Sequence, residues 1–184
     1  MRKNIKTLLC VTAFVGAMSS GIAFADNLTI SSGSTETISQ EATYDNIINA
    51  GTLNNNASLT VETSLQNSSS INNSSSIVTT EITNQSGASI TGVSGSIEIS
   101  NGGTNDGSIT QNIVNVTAGT LTNSGTISAE TFNNSGQLTG TGKLIAAGGS
   151  NSTTIEQDTI EITGNYTNNG TMTCLLYTSD AADD

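Results

Sequence analysis

Along this chain the large aliphatic side chains arrive singly or two apart, separated by short polar stretches. One five-residue phrase carries the pattern: Asn, any residue, a small residue, a short polar residue, then a large aliphatic. It runs from Asn49 to Leu53, Asn55 to Leu59, Asn67 to Ile71 and Asn73 to Ile77. It returns from Asn105 to Ile109, Asn123 to Ile127, Asn134 to Leu138 and Asn168 to Met172. Looser copies end at Ile90, Leu121 and Leu144. Several anchors are six apart (Leu53 and Leu59, Ile71 and Ile77, Leu121 and Ile127, Leu138 and Leu144). Over a longer span, Leu53, Ile71, Ile90, Ile109 and Ile127 follow one another at 18, 19, 19 and 18 residues. A low-complexity polar tract has no reason to keep that register.

A period of 18–19 residues built from short apolar segments predicts a solenoid. Helices are poorly supported, because the chain is crowded with Asn, Gly, Ser and Thr and has no 3.6-residue stripes. Period-two alternation does occur, in Leu59-Thr-Val61, Ile97-Glu-Ile99, Val114-Asn-Val116 and Ile160-Glu-Ile162. It puts both aliphatics on one face of a strand and the polar residue on the other. Such strands are too short to form a sheet alone. Stacked coil on coil at ~4.8 Å they pair in parallel and bury a column of Ile, Leu and Val. The expected fold is all-β: a parallel β-helix of about 18–19 residues per coil, its coils drifting between 17 and 19. The irregular phrase favours a right-handed winding over a left-handed hexad helix. Roughly eight coils give a rod of roughly 40 Å. The Asn-x-Gly element is expected at the corners, where Gly and Asn tolerate left-handed backbone. Asparagines at equivalent corners could stack amide on amide as a ladder.

The two ends break the pattern. Arg2, Lys3 and Lys6 precede an apolar run from Leu8 to Met18, and Ala23-Phe24-Ala25 supplies small residues where a signal peptidase reads. Residues 1–25 are therefore expected to be a signal peptide, with Asp26 starting the mature chain. The apolar run is short for crossing ~30 Å of hydrocarbon. Cys174 to Asp184 reads CLLYTSDAADD, is nearly free of Asn and Gly, and resembles the translation of a sequencing-library adapter. These eleven residues are expected to be a non-native tail, with the natural protein continuing past Thr173. That leaves 26–48 as an N-terminal cap or first coil and 49–173 as the repeat region.

Composition limits the chemistry of residues 26–173. Twelve carboxylates face a single lysine, Lys143, for a net charge of −11, and there is no Cys, His, Arg, Trp or Pro. Disulfides cannot stabilise such a region after export. Its charge argues against nucleic acid and against anionic lipid. Leu, Ile, Val and Phe make up 30 of its 148 residues, which lies at the compositional edge of disorder. A disordered secreted polar segment is thus one alternative that composition alone leaves open.

The phrases Asn123 to Ile127, Asn134 to Leu144 (NSGQLTGTGKL) and Asn168 to Met172 resemble the passenger domains of Gram-negative autotransporters and related filamentous adhesins. The resemblance covers most of 47–173 and is a style of repeat, so it speaks to architecture more than to activity. It implies a structural or adhesive stalk, exported to the bacterial cell surface, the outer membrane or the medium. It also implies a C-terminal β-barrel as the anchor. The partner would be a glycan or protein on a host or microbial surface.

Catalysis has little to draw on. Without histidine, Ser-His and Cys-His nucleophiles are excluded from this chain, no G-x-S-x-G context occurs, and zinc lacks ligands. Glu156 and Asp158 are two apart, so on a strand they would share a face with Glu161 nearby. A carbohydrate-active β-helix enzyme using such carboxylates is the rival reading. A lyase, however, also wants a strong cation, and only Lys143 is present. Asn101 to Gly107 is a single copy of a loosely calcium-like glycine-rich segment, and that motif works through consecutive copies. Tyr44, Phe132 and Tyr166 are too scattered for a sugar platform, and Phe132 is expected in the core. The sequence names no catalytic, cofactor-binding or metal-binding residue, and the expected role is not enzymatic.

Overall fold

The computed structural model describes residues 27–175; the expected signal peptide and the tail beyond Leu175 lie outside the described residues. Every described element is a strand, and every strand pair is parallel, forming a β-solenoid of about eight turns. The compositional question is answered in favour of folding: most of the few aliphatics available are drawn onto one axis, with Ile48, Val78 and Val93 left exposed.

Each coil has three faces. The first is represented by Thr120–Asn123, the second by Thr52–Asn55, and the third by the opening half of Leu59–Asn67. Three core columns run up the rod. On the second face Leu53, Ile71, Ile90, Ile109, Ile127, Leu144 and Ile160 are successive register partners. The anchors read from the sequence therefore stand in one vertical line, and from Leu53 to Leu144 each is fully buried. On the third face the column is Leu59, Ile77, Ile97, Val114, Phe132, Gly149 and Tyr166. On the first it is Ile47, Leu65, Ile82, Gly103, Leu121, Leu138, Ile155 and Met172. Each column is aliphatic or aromatic except at Gly103 and Gly149, and its side chains are covered above and below by their own repeats.

Two expectations need correction. The coils vary more widely than 17–19 residues: Asn84 to Asn105 takes 21. The excess sits in two places. Asn84 and Ser89 are five apart where their partners Asn67 and Ser70 are three apart, and Gln111 and Ile113 pair with Gly92 and Ser96, so two residues also bulge where the second face turns into the third. Val93, 89% exposed, sits on that swelling. The second correction concerns the phrase glycines. Gly51, Gly107, Gly125 and Gly170 are not among the positive-φ residues. A Cβ on any of them would instead strike a backbone carbonyl of the coil below, such as Ser34 O under Gly51 or Ala88 O under Gly107. At these four copies glycine is selected by close stacking of coils; Ala57, Ser69 and Ser75 hold the same place in other copies.

The ends differ. At the base of the second-face column, beneath Leu53, stands Glu36 in place of an aliphatic. At the top, Ile160, Ile162, Tyr166 and Met172 are only partly buried against the core. The last strand, Thr171–Cys174, extends one residue into the segment expected to be foreign, with Cys174 opposite Gln157.

Candidate functional site

What the coil builds most deliberately is its corners. The Asn of each phrase lies two residues past a core position of its strand and, except for the exposed Asn168, turns inward and is buried. Asn49, Asn67, Asn84, Asn105 and Asn123 form one ladder, each Nδ2 donating to the next Oδ1 at 2.7–2.8 Å. The second amide proton of each rung goes to a backbone carbonyl one coil on, as from Asn84 to Ser108 O and from Asn105 to Thr126 O. Several Oδ1 atoms also accept from a nearby backbone N–H two residues on, closing the turn, as Asn49 does from Gly51. Asparagine suits the place because one short side chain carries two donors and a two-lone-pair acceptor. The ladder foreseen in the sequence is present, and it is internal.

The second corner holds Asn55 and Asn73, the third Asn134, Asn151 and Asn168. Below Asn134 the third corner carries Val61, Thr79, Ile99 and Val116 instead. The two ladders begin above aliphatics, Ile38 and Val116, which have no proton to donate. Accordingly Asn55 Oδ1 and Asn134 Oδ1 are buried without a partner.

Sequence reasoning missed one device. Gly92 replaces asparagine above Asn73, and Gln111 follows on the next coil; its Oε1 reaches back across the glycine to Asn73 Nδ2 at 2.7 Å. Gly140 does the same between Asn123 and Gln157, bridged at 2.6 Å. A Cβ on Gly92 would run into the Asn73 carbonyl, and Gly140 has φ 120° with Asn123 O against it. The extra methylene of Gln spans the rung that the glycine vacates. The signal was available: both glutamines stand two coils beyond a ladder Asn, with Gly between.

Outward positions form flat polar grids. On the first face Thr83, Thr104, Thr122 and Thr139 lie in one column. On the second, Asn72 donates to Asn54 at 2.8 Å, continuing the internal logic on the surface. A shallow trough of about 190 Å³ runs along the rim of the second face, lined by Val93, Thr110, Ser128, Glu130 and Ile145 among others.

The carboxylates singled out in the sequence do not gather. Glu156 projects from Thr154–Gln157, but that strand ends before Asp158, which occupies the corner ahead of Thr159–Ile162. The expected shared face is therefore broken by the turn. Glu161 lies on the second face and is ion-paired with Lys143 at 3.1 Å. Among the described residues no three His, Cys, Asp or Glu side chains are grouped to hold a metal ion. The Asn101 to Gly107 segment is divided: Asn105 is a buried rung, while Asp106 is exposed at the corner. Of the aromatics, Phe132 fills the core, and Tyr44 and Tyr166 sit half-buried in the first and last coils. Burial raises the pKa of both tyrosines, and the Glu36 charge adds to the effect at Tyr44. No family model, curated protein or solved structure matches this chain.

Proposed function

We propose that the chain is the stalk of an exported surface protein, structural or adhesive, and not an enzyme. The supporting observation is the stack: core columns on three faces and amide ladders at the corners, with no gathered catalytic or metal-binding side chains among the described residues. Such a rod resists bending, because every coil is hydrogen-bonded to its neighbours by backbone and side chain alike. It carries a long repetitive polar surface to a glycan or protein on another cell, in the manner implied by the resemblance to autotransporter passengers. Export by the segment 1–25 belongs to the same reading. The test pairs binding with turnover. The purified chain on beads is expected to bind cells or a glycan panel saturably, and Thr104→Lys with Thr122→Lys to weaken binding while far-UV dichroism is unchanged. Cleavage of acidic polysaccharide that Glu156→Gln or Asp158→Asn abolishes would overturn the stalk in favour of an enzyme.

A further inference from the structure

The trough at the rim of the second face lies in the middle of the rod. One wall is the column Thr110, Ser128 and Ile145, which are successive register partners. Glu130 and Ala147 stand beyond the corner, and the short, nearly buried Ala129 lines the trough between them. The space opens where this corner stops carrying amides. Above Gln111 the register partners are Ala129 and Ala146, which bring methyl groups where Asn55 and Asn73 bring amides two and three coils lower. At the lower end of the trough stands the bulge. A Cβ on Gly92 or on Gly95 would strike the Asn73 carbonyl, so both lie tight against it. Ser94 Oγ donates to Ser74 O at 3.4 Å. Val93 is thereby held out into water at the trough's edge. Bulges commonly re-aim a side chain beside a site in this way.

We propose that this trough binds a neutral, hydroxyl-rich oligosaccharide laid along the rod. Val93, Ile145 and Ala147 offer apolar surface to the C–H faces of pyranose rings, while Thr110, Ser128 and Glu130 offer hydrogen bonds to their hydroxyls. A carboxylate accepting from sugar hydroxyls makes the stronger, charge-assisted kind of bond. Charge decides between neutral and anionic glycans. Among the described residues the one ion pair is Lys143 with Glu161, so Glu130 brings an uncompensated negative charge to a chain whose net charge is −11. An anionic sugar is repelled by that field. Beside the trough, the outward positions of the second face from Thr52 to Ser128 are all Thr, Ser or Asn. Nothing charged on that side obstructs a neutral chain. Coils repeat every ~4.8 Å, close to the advance of one ring in an extended, equatorially linked glycan, so successive rings meet successive coils. The site is separate from the first-face threonines of the adhesive reading and does not rest on that reading.

The experiment is calorimetric titration of the full chain with cellotetraose, chitotetraose and tetragalacturonate. At least one neutral tetrasaccharide is expected to bind saturably, with tetragalacturonate weaker by about tenfold or more. Val93→Asp and Glu130→Ala are each expected to weaken the neutral ligand by about tenfold or more. Val78→Asp alters an exposed valine outside the trough and is expected to bind as wild type does. The proposal is overturned if neither neutral tetrasaccharide binds, or if tetragalacturonate binds as tightly. It is also overturned if Val93→Asp and Glu130→Ala keep both native dichroism and wild-type affinity. Should Val93→Asp fail to fold, unchanged affinity in Glu130→Ala alone overturns it. Tetrasaccharide binding by a chain that binds no cells supports the trough and removes adhesion. Cell binding by a chain that ignores both neutral tetrasaccharides overturns the trough and leaves adhesion standing.

Discussion

Replacing Asn105 by alanine tests whether the buried ladder holds the coils together. Asn105 is fully buried, and its Oδ1 accepts from Asn84 at 2.7 Å. Its Nδ2 donates to Asn123 Oδ1 at 2.7 Å and to Thr126 O at 3.2 Å. Truncation leaves Asn84 with a proton that has no acceptor, and Asn123 with an oxygen that has lost its donor. Water cannot reach either without opening the coil. Each orphaned atom costs about 1–3 kcal/mol, so the expected loss is about 2–6 kcal/mol, a large share of the ~5–15 kcal/mol that holds a typical domain. The control is Asn54→Ala. Asn54 is half-buried on the outer face, where it donates to Thr37 Oγ1 at 3.5 Å and accepts from Asn72 Nδ2 at 2.8 Å; both bonds are open to water, so its loss belongs with surface changes of about 0.5 kcal/mol. Urea unfolding followed by far-UV dichroism measures both variants. Amide hydrogen exchange then locates the damage, which nearest-neighbour stacking should concentrate in the coils holding Asn84 and Asn123. If Asn105→Ala is no more destabilised than Asn54→Ala, the ladder is ornament on a hydrophobic stack and the reasoning fails.

Two further outcomes follow from the same geometry. Gln111→Asn removes the methylene that spans Gly92, so Asn73 Nδ2 loses its 2.7 Å acceptor and stability should fall by about 1–3 kcal/mol; an unchanged urea midpoint would contradict the bridge. Tyr166 has a buried hydroxyl without a partner and a pKa raised by burial. The folded state therefore holds its phenolic proton more tightly than the unfolded chain does. Stability is intact below the unfolded pKa of about 10 and declines as pH climbs beyond it. Tyr166→Phe should flatten that alkaline decline while costing little near neutrality, as urea midpoints on either side of pH ~10 would show.

Much of this architecture was legible because a solenoid writes its tertiary structure into its sequence spacing. Leu53, Ile71, Ile90 and Ile109 could be aligned by counting, since in a coil of constant circumference equal spacing means the same face. Counting failed where circumference changed. Extra residues between Asn84 and Ser89 and around Val93 and Ser94 lengthen one coil while Ile90 and Ile109 stay in register, because both insertions sit at corners outside the second face. The role of the phrase glycines was also misjudged: the sequence shows that a small residue is needed, and only the stacked coils show the carbonyl that needs the room. The carboxylates at 156 and 158 were separated by a corner that two residues of spacing cannot reveal. As for a binding site, a surface of repeated Thr, Ser and Asn looks alike on every coil, so no position stands out by its chemistry.

The placement of amides and acids explains how so lean a chain folds. The fully buried polar positions are Asn, Gln and one Thr, with no carboxylate among them, although residues 26–173 carry twelve. An ionised Asp in a ladder position would offer only acceptors, so its oxygen would face the Oδ1 of the next rung with no proton between them. Asparagine differs from it by one NH₂ and supplies the missing donor. The corners that carry Asn or Gln thereby become places where polar side chains are buried at little loss, so the coil folds with few large aliphatics. The acids, unable to enter, are left to the outer surface, to corners, and to the base of one column. At that base, where Glu36 stands beneath Leu53, a charge that would be damaging in the middle of the rod is tolerated because the side chain is only partly buried and keeps contact with water.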